Sequence, residues 1–153
     1  SAALSGVTWT NAAGLATKNC EISLEAMKVE GSDFFCGLTF PVANSHATLV
    51  LGGWGGSVTG ISSIDSQDAS ENETTKFFFY DKNRWYKIRV RVTSEKIEAW
   101  LDGDRVISIE TAGRKVSLRS GDIDLSCPFG LATYQTTGAF RNIQFKKLGT
   151  SPR

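Results

Sequence analysis

The stretch Arg84-Trp85-Tyr86-Lys87-Ile88-Arg89-Val90-Arg91-Val92, followed closely by Ile97-Glu98-Ala99-Trp100-Leu101, decides the fold class. Its period is two. Tyr86, Ile88, Val90 and Val92 point one way, and Trp85, Lys87, Arg89 and Arg91 point the other, the signature of a half-buried strand. If Ser94-Glu95 forms the turn, Val92 pairs with Ile97, Val90 with Ala99 and Ile88 with Leu101. The other face then carries Arg91 opposite Glu98 and Arg89 opposite Trp100, a charge pair and a cation–π pair worth ~0.2–1 kcal/mol each. One register satisfies both faces, and a slip of one residue would spoil both.

The pattern extends outward in both directions. Asp102-Gly103 is a hairpin signal. A two-residue loop would put Ile107 and Ile109 on the Trp100 face. A three-residue loop with a glycine bulge returns them to the core and is preferred. Upstream, Cys20, Ile22, Leu24 and Ala26 alternate with Glu21, Ser23, Glu25 and Met27, although Leu, Glu, Ala, Met and Lys are helix formers. Phe34 to Val42 alternate likewise, and Pro41, which cannot donate to a ladder, belongs at an edge or a strand end. Residues 48–51 and 57–61 flank a glycine-dense stretch, and 62–75 read as a polar loop. A last pair of strands is expected near 126–134 and 139–147. Short strands with tight turns and no confident helix indicate an all-β, antiparallel two-sheet sandwich of jelly-roll type.

Composition bounds the rest. A chain of 153 residues suits one domain and falls well short of the ~250 residues of a (β/α)₈ barrel. Seventeen basic against sixteen acidic residues leave no basic excess, so nucleic acid is not an expected partner. No run approaches the ~20 apolar residues of a membrane helix, so membrane insertion is not expected. Cys20, Cys36 and Cys127 show no C-x-x-C spacing, and with His46 as the single histidine they suggest free buried thiols, with a Cys20–Cys36 bridge as the alternative. We expect one domain over 1–148 and a linker-like tail, Gly149-Thr150-Ser151-Pro152-Arg153. A start at Ser1 without a signal segment reads as a mature product or an excised piece.

Trp85, Asp102-Gly103, Gly130-Leu131 and Phe140-Arg141-Asn142-Ile143 form a familiar series. Together with the hairpin around them, they resemble the C-terminal half of the 3-keto-disaccharide hydrolase domain family. More loosely, the chain looks like the concanavalin A-like lectin and glucanase sandwiches. The resemblance covers 84–148 best, whereas 44–80 depart from the family pattern. It implies a two-sheet jelly roll whose concave face holds sugar, a secreted, periplasmic or cell-surface setting, and a link to glycoside or oxidised-sugar chemistry.

Candidate sites follow from residue chemistry. Asp65, Asp68, Glu71 and Glu73 crowd one loop and could be solvated, could ligate calcium (Asp65, Asp68, Glu71), or could supply the two carboxyls of glycoside hydrolysis. Asn72-Glu73-Thr74 also fits a glycosylation sequon. Trp54, set between glycine pairs, is either a platform for a sugar's apolar face or the tip of a bulged hairpin folding back on the core. Trp85, Arg89, Arg91, Glu98 and Trp100 share one predicted face that could hold sugar hydroxyls, or could simply clothe an outer sheet. His46 reads as a loop or capping residue, Arg114, Lys115 and Arg119 as a surface cluster. The preferred expectation is a carbohydrate-binding module centred on Trp54, with no firm metal. A glycosidase-like enzyme and a structural or protein-interaction domain are the alternatives.

Overall fold

A computed structural model describes residues 4–8, 19–42, 45–62, 64–65, 67–93, 95–111, 113–116 and 129–147. Eleven strands are formed there: β1 (Leu4–Thr8), β2 (Cys20–Gly31), β3 (Cys36–Val42), β4 (Ser45–Gly53), β5 (Val58–Ser62), β6 (Lys76–Phe77), β7 (Trp85–Val92), β8 (Lys96–Leu101), β9 (Asp104–Glu110), β10 (Gly130–Tyr134) and β11 (Thr136–Lys147). They build a six-stranded sheet, β1-β10-β3-β4-β5-β6, and a five-stranded sheet, β11-β2-β7-β8-β9. The expected all-β sandwich is the one observed, and no helix occurs among the described residues. The strand expected from 126 starts at Gly130; Cys127, Arg119 and the 149–153 tail lie outside the described residues.

Alternation places the core between the sheets. Cys20, Ile22, Leu24 and Ala26 of β2 and Tyr86, Ile88, Val90 and Val92 of β7 are buried, and cluster with Leu38, Phe40, Leu49, Leu51 and Ile61 of the other sheet. Each large apolar side chain among them contributes roughly 1.5–3 kcal/mol. Helix propensity loses in β2 because the strand lies between β11 and β7, where both ladders satisfy its backbone. Cys20 and Cys36 are free thiols, so the alternative of a bridge between them fails. Burial raises the pKa of Cys20 to about 11 and that of Cys36 further. His46 is not in a loop: it is a strand residue of β4 opposite Pro41, near the end of β3 and beyond the Gly37–Thr39 span that pairs with β10.

The β7–β8 register is the expected one, with Val92 opposite Ile97 and Ile88 opposite Leu101. The next hairpin differs. Leu101 pairs with Asp104, so the loop has two residues, and positive φ at Asp102 (52°) and Gly103 (90°) gives it the primed-turn geometry. The bulge sits one step later: Trp100 pairs with Arg105 and Ala99 with Ile107, leaving Val106 over. That extra residue returns Ile107 and Ile109 to the buried face, so the expected facing is right and the expected three-residue loop is not.

Candidate functional site

The outer face of the five-stranded sheet is organised in rows across its strands. One row runs Lys146, Glu21, Arg91, Glu98, Ser108; the next runs Gln144, Ser23, Arg89, Trp100, Arg105; a third runs Arg141, Glu25, Lys87. The expectation that Trp85, Arg89, Arg91, Glu98 and Trp100 share a face is met, because their neighbours on β7 and β8 are buried in the core. The Arg89 guanidinium lies 4.1 Å from the Trp100 ring centroid, and that of Arg91 5.5 Å. Arg91 and Glu98 are cross-strand neighbours, but they do not bond each other. Arg91 instead forks onto Glu21 Oε1 at 2.9 and 3.1 Å, while Glu98, 7% exposed, accepts from Arg105 at 3.1 Å and faces Lys96 at 3.7 Å.

The middle row is where the sheet opens. Ser23 is the smallest side chain in it, and a cavity of about 460 Å³ lies over this position. Arg89, Trp100 and Gly103 line one side, Glu25, Asn142 and Gln144 another, and Lys87 joins them. That volume lies within the range of small-molecule sites, roughly 300–1,000 Å³. The residues offer an apolar indole wall, a hydroxyl, two carboxamides, a carboxylate and two cations.

Glu25 is held by an irregularity in β11. Arg141 pairs with Glu25 and Gln144 with Ser23, so Asn142 and Ile143 together oppose Leu24 in a bulge. Asn142 takes φ +55°, a left-handed conformation that Asn tolerates better than most residues. The bulge lets consecutive residues act together: Arg141 donates to Glu25 Oε1 at 2.9 and 3.1 Å, and Asn142 Nδ2 donates to Oε2 at 2.8 Å. Ile143 meanwhile packs against the core. The Asn142 and Arg141 hydrogen bonds hold the Glu25 carboxyl below the usual carboxylate range. Arg141 also stacks 3.9 Å over the Trp85 ring, tying that tryptophan to the same array.

At the other end of the cavity, Asp102 does more than turn the chain. Its Oδ1 accepts from Lys87 N at 2.8 Å and its Oδ2 pairs with Arg84 at 2.8 Å, fixing the β8–β9 turn against β7.

The remaining candidates lie elsewhere. Trp54 occupies the β4–β5 turn of the six-stranded sheet at φ +48° and is 39% exposed, so it does not fold back into the core. Gly55 N donates to Asp33 Oδ2 in the same turn, and no residue of that turn lines the cavity described above. The acidic loop is built inward. Arg114 bonds both Asp65 and Glu73, Lys115 N donates to Asp65 Oδ1, and Asp68 Oδ1 accepts from Ser70. The Lys115 and Arg114 bonds hold the Asp65 carboxyl low. A guanidinium supplies the charge that calcium would bring, and the described residues contain no group of three or more acidic, His or Cys side chains placed to hold an ion. Arg114 thus braces this loop, beyond the surface role expected for it. Asn72 is its hub, donating from Nδ2 to the carbonyls of Ile61, Gln67 and Asp68, so the sequon amide is already engaged.

Glu25, Ser23, Arg141, Asn142 and Gln144 are the site residues that sequence reading missed. The alternation of β2 puts Glu25 and Ser23 on the polar face, and the Phe140–Ile143 phrase stands out as a family feature. What no local pattern shows is that β11 lies beside β2 and bulges there.

The fold is shared with known structures at low identity. The carbohydrate-binding module CBM66 from Bacillus subtilis superposes with a TM-score of 0.61 at 14% identity, over 95% of this chain and 83% of that one. A variant of human galectin-16 gives 0.52 at 8% identity, over 94% of each chain. A toad ovary galectin, solved with thio-digalactose, gives 0.50 at 15% identity, over 95% and 100%. These likenesses establish a concanavalin A-like sandwich. No curated protein matches the chain. Residues 6–146, nearly the whole described sandwich, match the 3-keto-alpha-glucoside-1,2-lyase-like domain, and the chain belongs to that family.

Proposed function

We propose that this domain binds carbohydrate on the outer face of its five-stranded sheet, at the cavity over Ser23. The observation that carries the reading is the convergence of Trp100, Arg89, Glu25, Asn142 and Gln144 on that one cavity. A sugar needs an apolar surface for its C–H face and rigid polar groups for its hydroxyls. Trp100 offers the first. Glu25 offers the second, since Arg141 and Asn142 fix its position while Oε2, which accepts a single bond, keeps spare acceptor capacity. The likeness to carbohydrate-binding and lectin structures supports the reading, as does the family match. An extracytoplasmic setting is part of the same proposal; no helix among the described residues is long and apolar enough to cross a membrane.

The test is a screen of the purified chain against an oligosaccharide array, with and without calcium. Trp100→Ala should abolish the signal while leaving the circular dichroism spectrum unchanged. No signal in either condition would move the domain to a structural or protein-interaction role.

The family description favours a second reading, a lyase acting on a 3-keto-glucoside. Such an elimination needs a base beside the carbon next to the ketone. Glu25 is the cavity's carboxylate, and two donors hold it in its charged, weakly basic form. Release of the aglycone from a 3-keto-glucoside, lost in Glu25→Gln, would establish this reading over simple binding.

A further inference from the structure

We propose that the cavity over Ser23 selects an acidic saccharide, and that Arg89 holds its carboxylate. This deepens the carbohydrate reading above and rests on it. Six arginines fall among the described residues: Arg84, Arg89, Arg91, Arg105, Arg114 and Arg141. Five have a carboxylate partner, namely Asp102 for Arg84, Glu21 for Arg91, Glu98 for Arg105, Asp65 and Glu73 for Arg114, and Glu25 for Arg141. Among the described residues Arg89 has none. Its contact there is the Trp100 ring, which it overlies at 4.1 Å.

That exception sits in the cavity wall rather than at the rim of the sheet. A guanidinium carries five N–H donors in a planar fork matched to carboxylate oxygens. Contact with the indole, 4.1 Å from guanidinium carbon to ring centroid, restrains the side chain beside the cavity before a ligand arrives. No buried side-chain nitrogen or oxygen among the described residues lacks a partner, so the N–H edge of the half-buried Arg89 faces solvent and is open to a ligand. Lys87 stands two residues away on the same strand face, about 6.6 Å along it, and forms no ion pair among the described residues. Glu25, the acid in this cavity, is already neutralised by Arg141 with Asn142 beside it. Lys87 shares the Glu25 carboxylate with Arg141 as its cross-strand neighbour, so the cavity keeps a net positive charge, with Arg89 the cation lacking a carboxylate, next to hydroxyl-binding groups, Ser23 and Gln144. A uronic acid matches that pattern: a planar carboxylate for Arg89 and Lys87, ring hydroxyls for Ser23, Gln144 and Glu25.

The test titrates the intact chain by calorimetry with three probes: methyl β-glucoside, methyl β-glucuronide and a sulfated glucoside. The glucuronide should bind at least about tenfold more tightly than the glucoside, with affinity falling as salt is raised. Arg89→Gln should bring the ratio of glucuronide to glucoside affinity down to about one. Arg89→Lys, which keeps the charge but loses the fork, should recover only part of it. If Arg89→Gln proves unfolded by circular dichroism, the exposed Lys87→Gln must itself lower the ratio of glucuronide to glucoside affinity severalfold. Equal affinity for glucoside and glucuronide would overturn the acidic selectivity and leave the carbohydrate reading standing. Preference for the sulfated sugar would overturn the carboxylate assignment. Binding of none of the three would overturn both.

Discussion

The two sheets of this sandwich treat their outer faces in opposite ways. On the five-stranded sheet the outward residues of β7 are long and polar, and burial alternates along the strand. On the six-stranded sheet every residue of β3 is buried, inward and outward alike. Thr39 and Thr48 share a buried hydrogen bond at 2.8 Å on the outward side, and Val50 beside them is only 5% exposed. Further along, Gly60 lies under the acidic loop, where a Cβ would come within 2.9 Å of the Ala69 carbonyl oxygen. One face is closed by packed loop and small residues, and the other is left open with fixed charges. Both use an arginine to hold carboxylates, Arg114 in the loop and Arg141 on the sheet, and the carboxylate held by the second, Glu25, lines the cavity over Ser23.

Substitutions can break this contrast in order of effect. Ile88→Ala, under both faces' common core, should cost about 2–5 kcal/mol in chemical denaturation, the penalty for a large side chain removed from a packed interior. Asn72→Ala attacks the closed side. It strips donors from three carbonyls and should cost about 1–3 kcal/mol while leaving saccharide binding unchanged. Acid attacks both clamps. Glu25 and Asp65 have pKa values lowered by folding, so their stabilising contributions are complete above the ordinary carboxylate range and are lost as pH falls through the lowered values. Thermal unfolding should therefore be flat from pH 7 to about 5 and decline below about 4, with a shallower decline in Glu25→Gln. Arg91→Gln, on the open face but with a partly solvated partner, should change stability by no more than about 1 kcal/mol.

The same contrast explains what the sequence made legible. Wherever a strand has one wet face, alternation reveals it: β7 and β8 could be registered residue by residue, and Arg89 could be set against Trp100. Where both faces are covered, as in β5, the pattern blurs into a short run of apolar and small residues. Bulges were the second blind spot. The one at Val106 corrected the expected loop length, and the one at Asn142 built half of the candidate site from residues more than a hundred positions from Glu25. Trp54 drew attention because its glycine neighbours are unusual, yet those glycines serve a tight turn with positive φ at Gly52, Gly55 and Gly56. Local oddity pointed to a turn, whereas the candidate site arises from ordinary strand residues brought side by side.

The proposed ligand site is the open face. It is tested most directly by heteronuclear NMR of the labelled chain, titrated with the oligosaccharide that gives the strongest array signal. Shifted amides are expected at Ser23, Glu25, Arg89, Trp100 and Asn142, with the Trp54 turn unmoved. Shifts concentrated at Trp54 to Gly56, with the five-stranded sheet silent, would contradict it.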